Sequence, residues 1–240
     1  MINSGIPGLD EISGKGLSRH QCILLNGGPG SGKTTLAMQF LYKGALDYDE
    51  PGIFVSLCEN PADIRKNMLV FGWDLAKLER QKKLMIIDAR PVNHTEDGYI
   101  VPNEGLFKGE NIPFSHISNQ ILQAVKEMGA KRLAIDSITI LTTQYDDNLN
   151  VRQGLLGLIQ VLSSLDCLTI LLSESEEKDA YIERVLVPAV IMMYYDKKGA
   201  NMVRGIQVWK LRGVKHSSDI HHMNICDEGI VIHPAELAEF

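Results

Sequence analysis

The chain has no long hydrophobic run, and no basic N-terminal stretch is followed by an apolar segment. A membrane-spanning helix needs about 20 consecutive, mostly apolar residues, and a secretory signal needs that N-terminal pattern. We therefore expect a soluble, cytoplasmic protein without a membrane partner.

Cysteine is scarce, and its four positions show no C-x-x-C spacing. Closely spaced cysteines are typical of zinc or redox sites, and structural disulfides belong to oxidising compartments. Cys22 and Cys167 lie inside apolar runs. The pattern predicts reduced thiols, some of them in the core.

Positive charge is also in short supply. The 24 Lys and Arg residues face 30 Asp and Glu residues, which gives a formal net charge of −6. A protein that coats nucleic acid needs a basic face. The acidic balance argues against a nucleic-acid partner, although it leaves open a local basic loop or pore.

No internal repeat or low-complexity tract divides the chain. Its 240 residues, 45% of them hydrophobic, suit a globular protein with a sizeable core. We predict a single domain that spans residues 1–240.

The most informative motif is the glycine-rich stretch G-G-P-G-S-G-K-T at residues 27–34. It matches the P-loop, whose backbone N–H groups and following helix N-terminus bind phosphate. Lys33 is expected to reach the β- and γ-phosphates, and the Thr34 hydroxyl to bind Mg²⁺. The predicted phosphate cradle consists of Gly28, Pro29, Gly30, Ser31, Gly32, Lys33, Thr34 and Thr35.

The surroundings of the loop agree with this interpretation. An apolar run at residues 21–26 precedes it, and apolar residues at helical spacing follow it. A second apolar run ends in Asp136, as in a Walker B strand, whose carboxylate holds magnesium through water. No N-K-x-D guanine motif is present, so we predict ATP and Mg²⁺ as the ligands. Phe71 and Trp73 either stack on adenine or pack in the core, and we prefer the core.

Apolar runs alternate with helix-patterned segments along the chain. Strands are predicted at residues 52–57, 83–88, 132–136, 167–173 and 187–194, and helices at 62–71, 115–128 and 151–165. This alternation predicts an α/β fold with a mostly parallel central sheet flanked by helices, and ligands bind beyond the carboxyl ends of such strands. Runs at residues 203–211, 221–225 and 229–232 predict C-terminal antiparallel hairpins.

Two segments fit neither pattern. Residues 91–113 hold three prolines and three glycines, which is typical of a surface loop, with a lid or partner-binding loop as the alternative. Residues 175–184 contain the charged run E-E-K-D. We expect a solvated, mobile segment there, close enough to a core strand to face the nucleotide or a ring axis.

Several stretches are more specific than a P-loop. They are S-G-I-P-G-L-D at residues 4–10, Q-F-L-Y at 39–42, E-P-G at 50–52, F-G-W-D-L at 71–75, I-D-S at 135–137 and K-L-R-G at 210–213. In this order, and with the P-loop, they resemble the KaiC family of RecA-like P-loop ATPases from about residue 2 to residue 234. The chain resembles a stand-alone KaiC domain and not the tandem pair of the clock protein.

The resemblance implies a homo-oligomeric ring, usually a hexamer, with ATP between neighbouring subunits. One subunit supplies the P-loop, and the next supplies cations near the γ-phosphate, which by position are Lys210 and Arg212, with Leu211 between them. These two cations alternate along a strand, so we expect both on one face. On the residues alone, a solvated pair on an edge strand is the alternative. His216 follows and is a further candidate for the neighbour's nucleotide.

The chain also departs from the family pattern. KaiC-like proteins usually carry two adjacent glutamates after the second strand, and Cys58 and Glu59 occupy those places here. A neutral thiol cannot take a proton from water as a carboxylate does. We expect Glu59 alone to orient the attacking water, so that hydrolysis is slow. Alternatively, Glu59 only caps or solvates a loop.

Two other features weaken particular activities. Residues 180–187, which match the region that accepts phosphate in the clock protein, hold no serine or threonine, so self-kinase activity is not expected. His216, His221 and His222 lie close in sequence, but their spacing does not match a closed zinc site.

The sequence leaves three functions to weigh. We predict a weak Mg²⁺-dependent ATPase that acts as an oligomeric regulatory switch. The Cys58 substitution gives weight to a second function, a nucleotide-gated module that binds an unknown protein partner with negligible hydrolysis. The third is DNA processing, by kinship with RecA and RadA, and the acidic balance argues against it.

Overall fold

The computed structural model describes residues 1–90, 92–94, 100–102, 112–145, 147–174 and 181–240. The strands are β1 (Gln21–Gly27), β2 (Gly52–Ser56), β3 (Leu84–Asp88), β4 (Val92–His94), β5 (Ile100–Pro102), β6 (Arg132–Asp136), β7 (Leu168–Ser173), β8 (Ala189–Lys198), β9 (Asn201–Leu211), β10 (His221–Cys226) and β11 (Gly229–Leu237). The helices are α1 (Leu9–Ile12), α2 (Lys33–Asp47), α3 (Pro61–Met68), α4 (Leu75–Arg80), α5 (Phe114–Met128), α6 (Ile138–Thr143), α7 (Asn148–Ser164) and α8 (Tyr181–Leu186).

Among the described residues, nine strands form one sheet in the order β11-β10-β9-β8-β1-β7-β6-β2-β3. The strands from β8 to β3 in this order pair in parallel. The strands from β8 to β11 pair antiparallel. The predicted α/β fold, with its parallel sheet and C-terminal antiparallel hairpins, is confirmed. The parallel register brings the P-loop after β1 and the end of β6 to the same edge of the sheet.

The central strands are buried on both faces. On β1, Ile23 and Leu25 join the core that includes α2, whereas Cys22 and Leu24 join the core that includes α5 and α7. Successive strand side chains point to opposite faces, so a strand buried on both sides reads as an unbroken apolar run. This is why the strands could be recognised without an alternating pattern.

A buried arginine ties α2 to the sheet. Arg132, at the start of β6, is fully buried, and its guanidinium donates to the Glu50 carboxylate (2.8 Å) and to the Phe40 (2.9 Å) and Ser4 (3.0 Å) carbonyls. A Cβ at Gly44 would lie 2.3 Å from this side chain, so only glycine fits. The contacts fix the helix that carries the P-loop against the strand that carries Asp136.

Local packing settles two of the open interpretations. The side chain of Trp73 is 3% exposed and lies against Tyr42 and Phe71, with ring centroids 5.6 and 4.8 Å apart. The core interpretation of Trp73 is therefore confirmed. The four cysteines are free thiols, and Cys22 and Cys167 are buried, as predicted.

The structure differs from the sequence-based expectation in two segments. The short strands β4 and β5 pair antiparallel within the expected loop at residues 91–113, and α8 occupies part of the expected solvated segment at 175–184. Residues 91, 95–99, 103–111 and 175–180 of these segments lie outside the described residues. None of the helices in the described ranges is long and apolar enough to cross a membrane.

Candidate nucleotide-binding site

The P-loop joins the end of β1 to the start of α2. Gly30 and Gly32 adopt left-handed backbone conformations, with φ of +74° and +102°, which L side chains rarely adopt. In the described part of the chain, no side chain caps the N-terminus of α2, and its first turn holds no acidic residue. The N–H groups of that turn therefore face the loop without an internal anion, which makes an anion-binding site.

Lys33 lies over the loop with only 5% of its side chain exposed. Its ammonium donates to the carbonyls of Gly27 (2.8 Å) and Gly28 (3.1 Å) and lies 3.4 Å from the Glu174 carboxylate. A buried cation needs such partners. Lys33 is thus held where the motif predicts contact with the β- and γ-phosphates.

Thr34 and Asp136 meet directly, as a shared magnesium site requires. The Thr34 hydroxyl donates to Asp136 Oδ2 at 2.7 Å. Burial raises the pKa of Asp136 to about 6; the Thr34 hydrogen bond and Lys33 lower it, and Glu59 and Glu174 raise it. A divalent cation would relieve this concentration of negative charge.

The residues present fit ATP with Mg²⁺. The Ser31 hydroxyl in the loop is fully buried, and its oxygen has no hydrogen-bond partner among the described residues. Within those same residues no group of three or more His, Cys, Asp and Glu side chains could hold a metal ion alone. Mg²⁺ usually takes one or two protein ligands and completes its shell with phosphate oxygens and waters. Thr34 and Asp136 match that donor set.

Glu59 lies in the loop after β2 with its carboxylate exposed. The Ser56 hydroxyl donates to the Glu59 carbonyl (2.6 Å) and accepts from its N–H (3.2 Å), which fixes the loop. The capping role belongs to Asn60, whose side chain accepts from the Ala62 N–H at 2.8 Å. Glu59 raises the pKa of Asp136, so its charge acts on the Asp136 carboxylate.

Cys58 precedes Glu59 and is part of the same electrostatic environment. Although its side chain reaches solvent, partial burial and then the charge of Asp136 raise the pKa of its thiol to about 11. The thiol therefore stays protonated at neutral pH and carries no charge towards the site.

Lys210 lies near the end of β9, and Arg212 follows that strand, at the edge of the sheet away from the P-loop. The Lys210 ammonium donates to the carbonyls of Arg184 (2.8 Å) and Val187 (2.7 Å) near the end of α8, and Arg212 donates weakly to Val185 (3.4 Å). Leu211 between the cations is buried. Both cations thus contact backbone carbonyls at or just after the end of α8.

The register separates these cations from the P-loop of their own chain. Lys210 pairs with Val190, which pairs with Leu24, three residues before Gly27. Their contacts in the described structure are with α8 and not with the phosphate cradle. His216, further on, contacts the Val214 carbonyl through Nδ1 at 3.1 Å.

Sequence reasoning missed two charged residues at the P-loop. Glu174 follows β7 directly, and the signal that found Asp136, a polar residue at the end of an apolar strand, could have found it. Arg204 stacks on the Tyr195 ring at 4.1 Å and donates to the Gly30 carbonyl at 3.3 Å. Only the pairing of β8 with β9 brings Arg204 there.

Comparisons with known proteins agree with the fold and the site. The KaiC ATPase family model matches residues 2–237. A UPF0273 protein of Methanocaldococcus jannaschii is 36% identical over 238 residues, covering 97% of this chain and 96% of that protein. The circadian clock oscillator protein KaiC of Synechococcus elongatus is 36% identical over 234 residues, covering 95% of this chain and 43% of that protein.

A solved structure gives the same result. The crystal structure of a KaiC-like protein from the hyperthermophilic archaeon Pyrococcus horikoshii matches with a TM-score of 0.82 and 34% identity, over 97% of this chain and 98% of that one. The fold is therefore RecA-like, and the chain belongs to the KaiC ATPase family in its single-domain form.

Proposed function

We propose that this protein binds ATP with Mg²⁺ at the P-loop and hydrolyses it slowly. The observation that carries the proposal is the meeting of Lys33, Thr34 and Asp136 beside the uncapped N-terminus of α2. Membership in an ATPase family supports the same chemistry.

Each group has a defined task in this proposal. The backbone of residues 28–35 binds the phosphates, and Lys33 neutralises charge on the β- and γ-phosphate oxygens. Thr34 and Asp136 hold the metal, which draws charge from the phosphates when it is bound. Glu59 orients the water that attacks the γ-phosphorus, and the effect of its charge on Asp136 supports this task.

The reaction is slow because one expected carboxylate is absent. Cys58 stands where the family usually has a glutamate, and the raised pKa of its thiol, about 11, keeps it protonated. General-base assistance contributes about 10²–10⁴-fold to rates, so losing one of two carboxylates costs turnover without removing nucleotide binding. A long-lived nucleotide state suits a regulatory switch.

The functional unit in this proposal is a homo-oligomer, a hexameric ring with ATP between subunits. Lys210 and Arg212 lie away from the P-loop of their own chain, and both are placed on one face beside α8. Together with His216, they act on the nucleotide of the neighbouring subunit. Native mass spectrometry with and without ATP–Mg²⁺ tests the assembly, since nucleotide at the interface should favour the ring.

Phosphate release over several hours tests hydrolysis. Wild-type protein should release phosphate from ATP–Mg²⁺ steadily, whereas Lys33→Ala should fall to background, because the ammonium that holds the phosphates is gone. Lys43→Ala, on the same helix and outside the site, should behave as wild type. Equal rates for wild type and Lys33→Ala would refute the ATPase.

A second candidate is a nucleotide-gated module that binds a protein partner with negligible hydrolysis. The neutral Cys58 thiol favours it. Isothermal titration calorimetry separates the two functions: ATP binding that Lys33→Ala removes, without phosphate release above that variant, would establish the module.

A further inference from the structure

Glu174 lies between the P-loop and Asp136, the two parts of the proposed magnesium–phosphate site. It follows β7, which lies between β1, the strand before the P-loop, and β6, the strand that ends in Asp136. Its N–H donates to the Thr139 hydroxyl at 2.9 Å, which anchors its backbone to α6. The direction of the chain therefore delivers its carboxylate to the edge where phosphates bind.

The Glu174 side chain makes contact with the group that holds the phosphates. Its carboxylate lies 3.4 Å from the Lys33 ammonium, and 53% of the side chain is exposed. A phosphate bound to Lys33 would compete for the same ammonium. Glu174 would then be left beside the terminal phosphate, still held by its backbone.

The surroundings of Cys58 make this placement significant. Cys58 follows β2 and Glu174 follows β7, and these two strands flank β6 in parallel, so both residues lie at the same edge of the sheet. The charge of Glu174 also acts on the Cys58 thiol. Cys58 itself supplies no charge there. Glu174 brings a carboxylate to the same edge from a different strand.

We propose that Glu174 is a catalytic residue for ATP hydrolysis and that, from the end of β7, it replaces part of the function of the carboxylate that Cys58 lacks. This inference rests on the proposed ATPase. The oxygen of the attacking water bonds to the γ-phosphorus while the bond from that phosphorus to the β–γ bridging oxygen breaks. The bridging oxygen leaves on ADP with the bonding electron pair. Glu174, with Glu59 orienting the water, accepts the water's proton and later returns it to the released phosphate.

The contact with Lys33 gives the proposal a second consequence that does not depend on turnover. Without nucleotide, Glu174 pairs with Lys33, so ATP must displace it. Removing its charge should therefore strengthen binding of Mg²⁺-free ATP by about two- to fivefold, the range expected for an exposed ion pair.

The test compares Glu174→Gln, the double variant Cys58→Glu/Glu174→Gln, wild type and a control, Glu127→Gln, at the end of α5 and the opposite edge of the sheet. Glu174→Gln should lower steady-state phosphate release at least about tenfold, as loss of a general base does, and KM should not rise, because ATP no longer has to displace the carboxylate. The double variant should recover a substantial part of that loss. Calorimetry with ATP in EDTA should show tighter binding for Glu174→Gln alone.

Each result decides the proposal. Unchanged hydrolysis in Glu174→Gln, with active wild type, overturns it and leaves the proposed ATPase standing. A loss that Cys58→Glu does not repair also overturns it, because Glu174 then acts only through Lys33. Wild type no faster than Lys33→Ala overturns both proposals together. Thermal melting of all variants keeps these outcomes apart from misfolding, which the exposure of Glu174 makes a small risk.

Discussion

The P-loop and the region beside α8 both contain cationic side chains, but these side chains have different partners. At the P-loop, Lys33 donates to the Gly27 and Gly28 carbonyls and also lies 3.4 Å from a carboxylate, that of Glu174. The Thr34 hydroxyl donates to Asp136 in the same region. Beside α8, Lys210 and Arg212 donate to backbone carbonyls. The first region thus brings a cation, a hydroxyl and two carboxylates of one chain together. The second offers two cations to an anion that its own chain does not supply in the described structure.

Electrostatics sharpens this difference. Burial, followed by the charge of Arg212, lowers the pKa of Lys210. Carbonyls bind an ammonium without cancelling its charge. An anion that approached Lys210 and Arg212 would therefore be attracted by both cations. In this chain, the residues of the phosphate cradle lie together, whereas Lys210 and Arg212 lie away from them. This separation supports our proposal of a site shared between subunits.

The largest expected effect comes from breaking the second region alone. The double variant Lys210→Ala/Arg212→Ala should lower phosphate release by about 10³-fold, the effect of cations that act on transition-state charge. ATP–Mg²⁺ binding to the P-loop should change far less, because the cradle is intact. Phosphate release and calorimetry measure the two quantities on the same sample.

Mixing subunits tests whether the two regions serve one site. Lys33→Ala subunits retain the cation pair, and the Lys210→Ala/Arg212→Ala subunits retain the cradle, so an equimolar mixture should regain activity that neither has alone. A mixture no more active than the sum of its parts, under conditions where subunits exchange, would show that each chain works by itself.

A smaller effect is expected at Asp136, the buried carboxylate of the P-loop region. The folded protein raises the pKa of Asp136 from 3.8 to about 6. Proton uptake thus adds stability that is fully present below pH 3.8 and is lost as the pH rises through about 6. Asp136→Asn should make the nucleotide-free protein more stable than wild type by roughly 2–3 kcal/mol at pH 7.5, and by little at pH 4.

Urea unfolding without nucleotide or Mg²⁺ measures this difference. Asp196→Asn, at an exposed position of β8, is the matched control and should follow wild type at both pH values. A constant difference between Asp136→Asn and wild type across this range would contradict the assigned cause.

Thiol chemistry sharpens the comparison further. Cys58 and Cys226 are both exposed, the former at the P-loop edge and the latter at the end of β10. Burial and nearby carboxylates raise the pKa of Cys58 to about 11, so iodoacetamide should modify Cys226 first at pH 7.5. The rate at Cys58 should rise about tenfold per pH unit, as the thiolate fraction does. Peptide mass spectrometry follows both sites. If Cys58 reacted first, the raised pKa assigned to its thiol would be refuted.

The smallest effect tests the contribution of the antiparallel strands to the cradle of their own chain. Arg204→Ala removes the contact with the Gly30 carbonyl and the stack on Tyr195. Such exposed interactions are worth about 0.5–1 kcal/mol, so ATP affinity should fall no more than about fivefold. Arg152→Ala, exposed on α7, is the control for calorimetry. A loss of ATP affinity as large as that of Lys33→Ala would show that Arg204 itself binds the phosphates.

Much of the fold followed from local patterns. The runs around β1, β2, β6 and β7 were recognisable because strands buried on both faces are continuously apolar. Short elements such as α6 were not predicted, because a few residues carry too little periodicity. The helix α8 was hidden by the charged run before it, since composition reports solvent exposure better than backbone conformation.

The sequence by itself determined the phosphate cradle, because a P-loop is made by consecutive residues whose backbone conformation is local. It also determined the Thr34–Asp136 pair, because parallel strands bring their carboxyl ends to a common edge. Only the tertiary structure decided that Glu174 and Arg204 lie at the loop and that Lys210 and Arg212 do not. Those positions depend on strand order and register, which are set by packing between segments far apart in the chain.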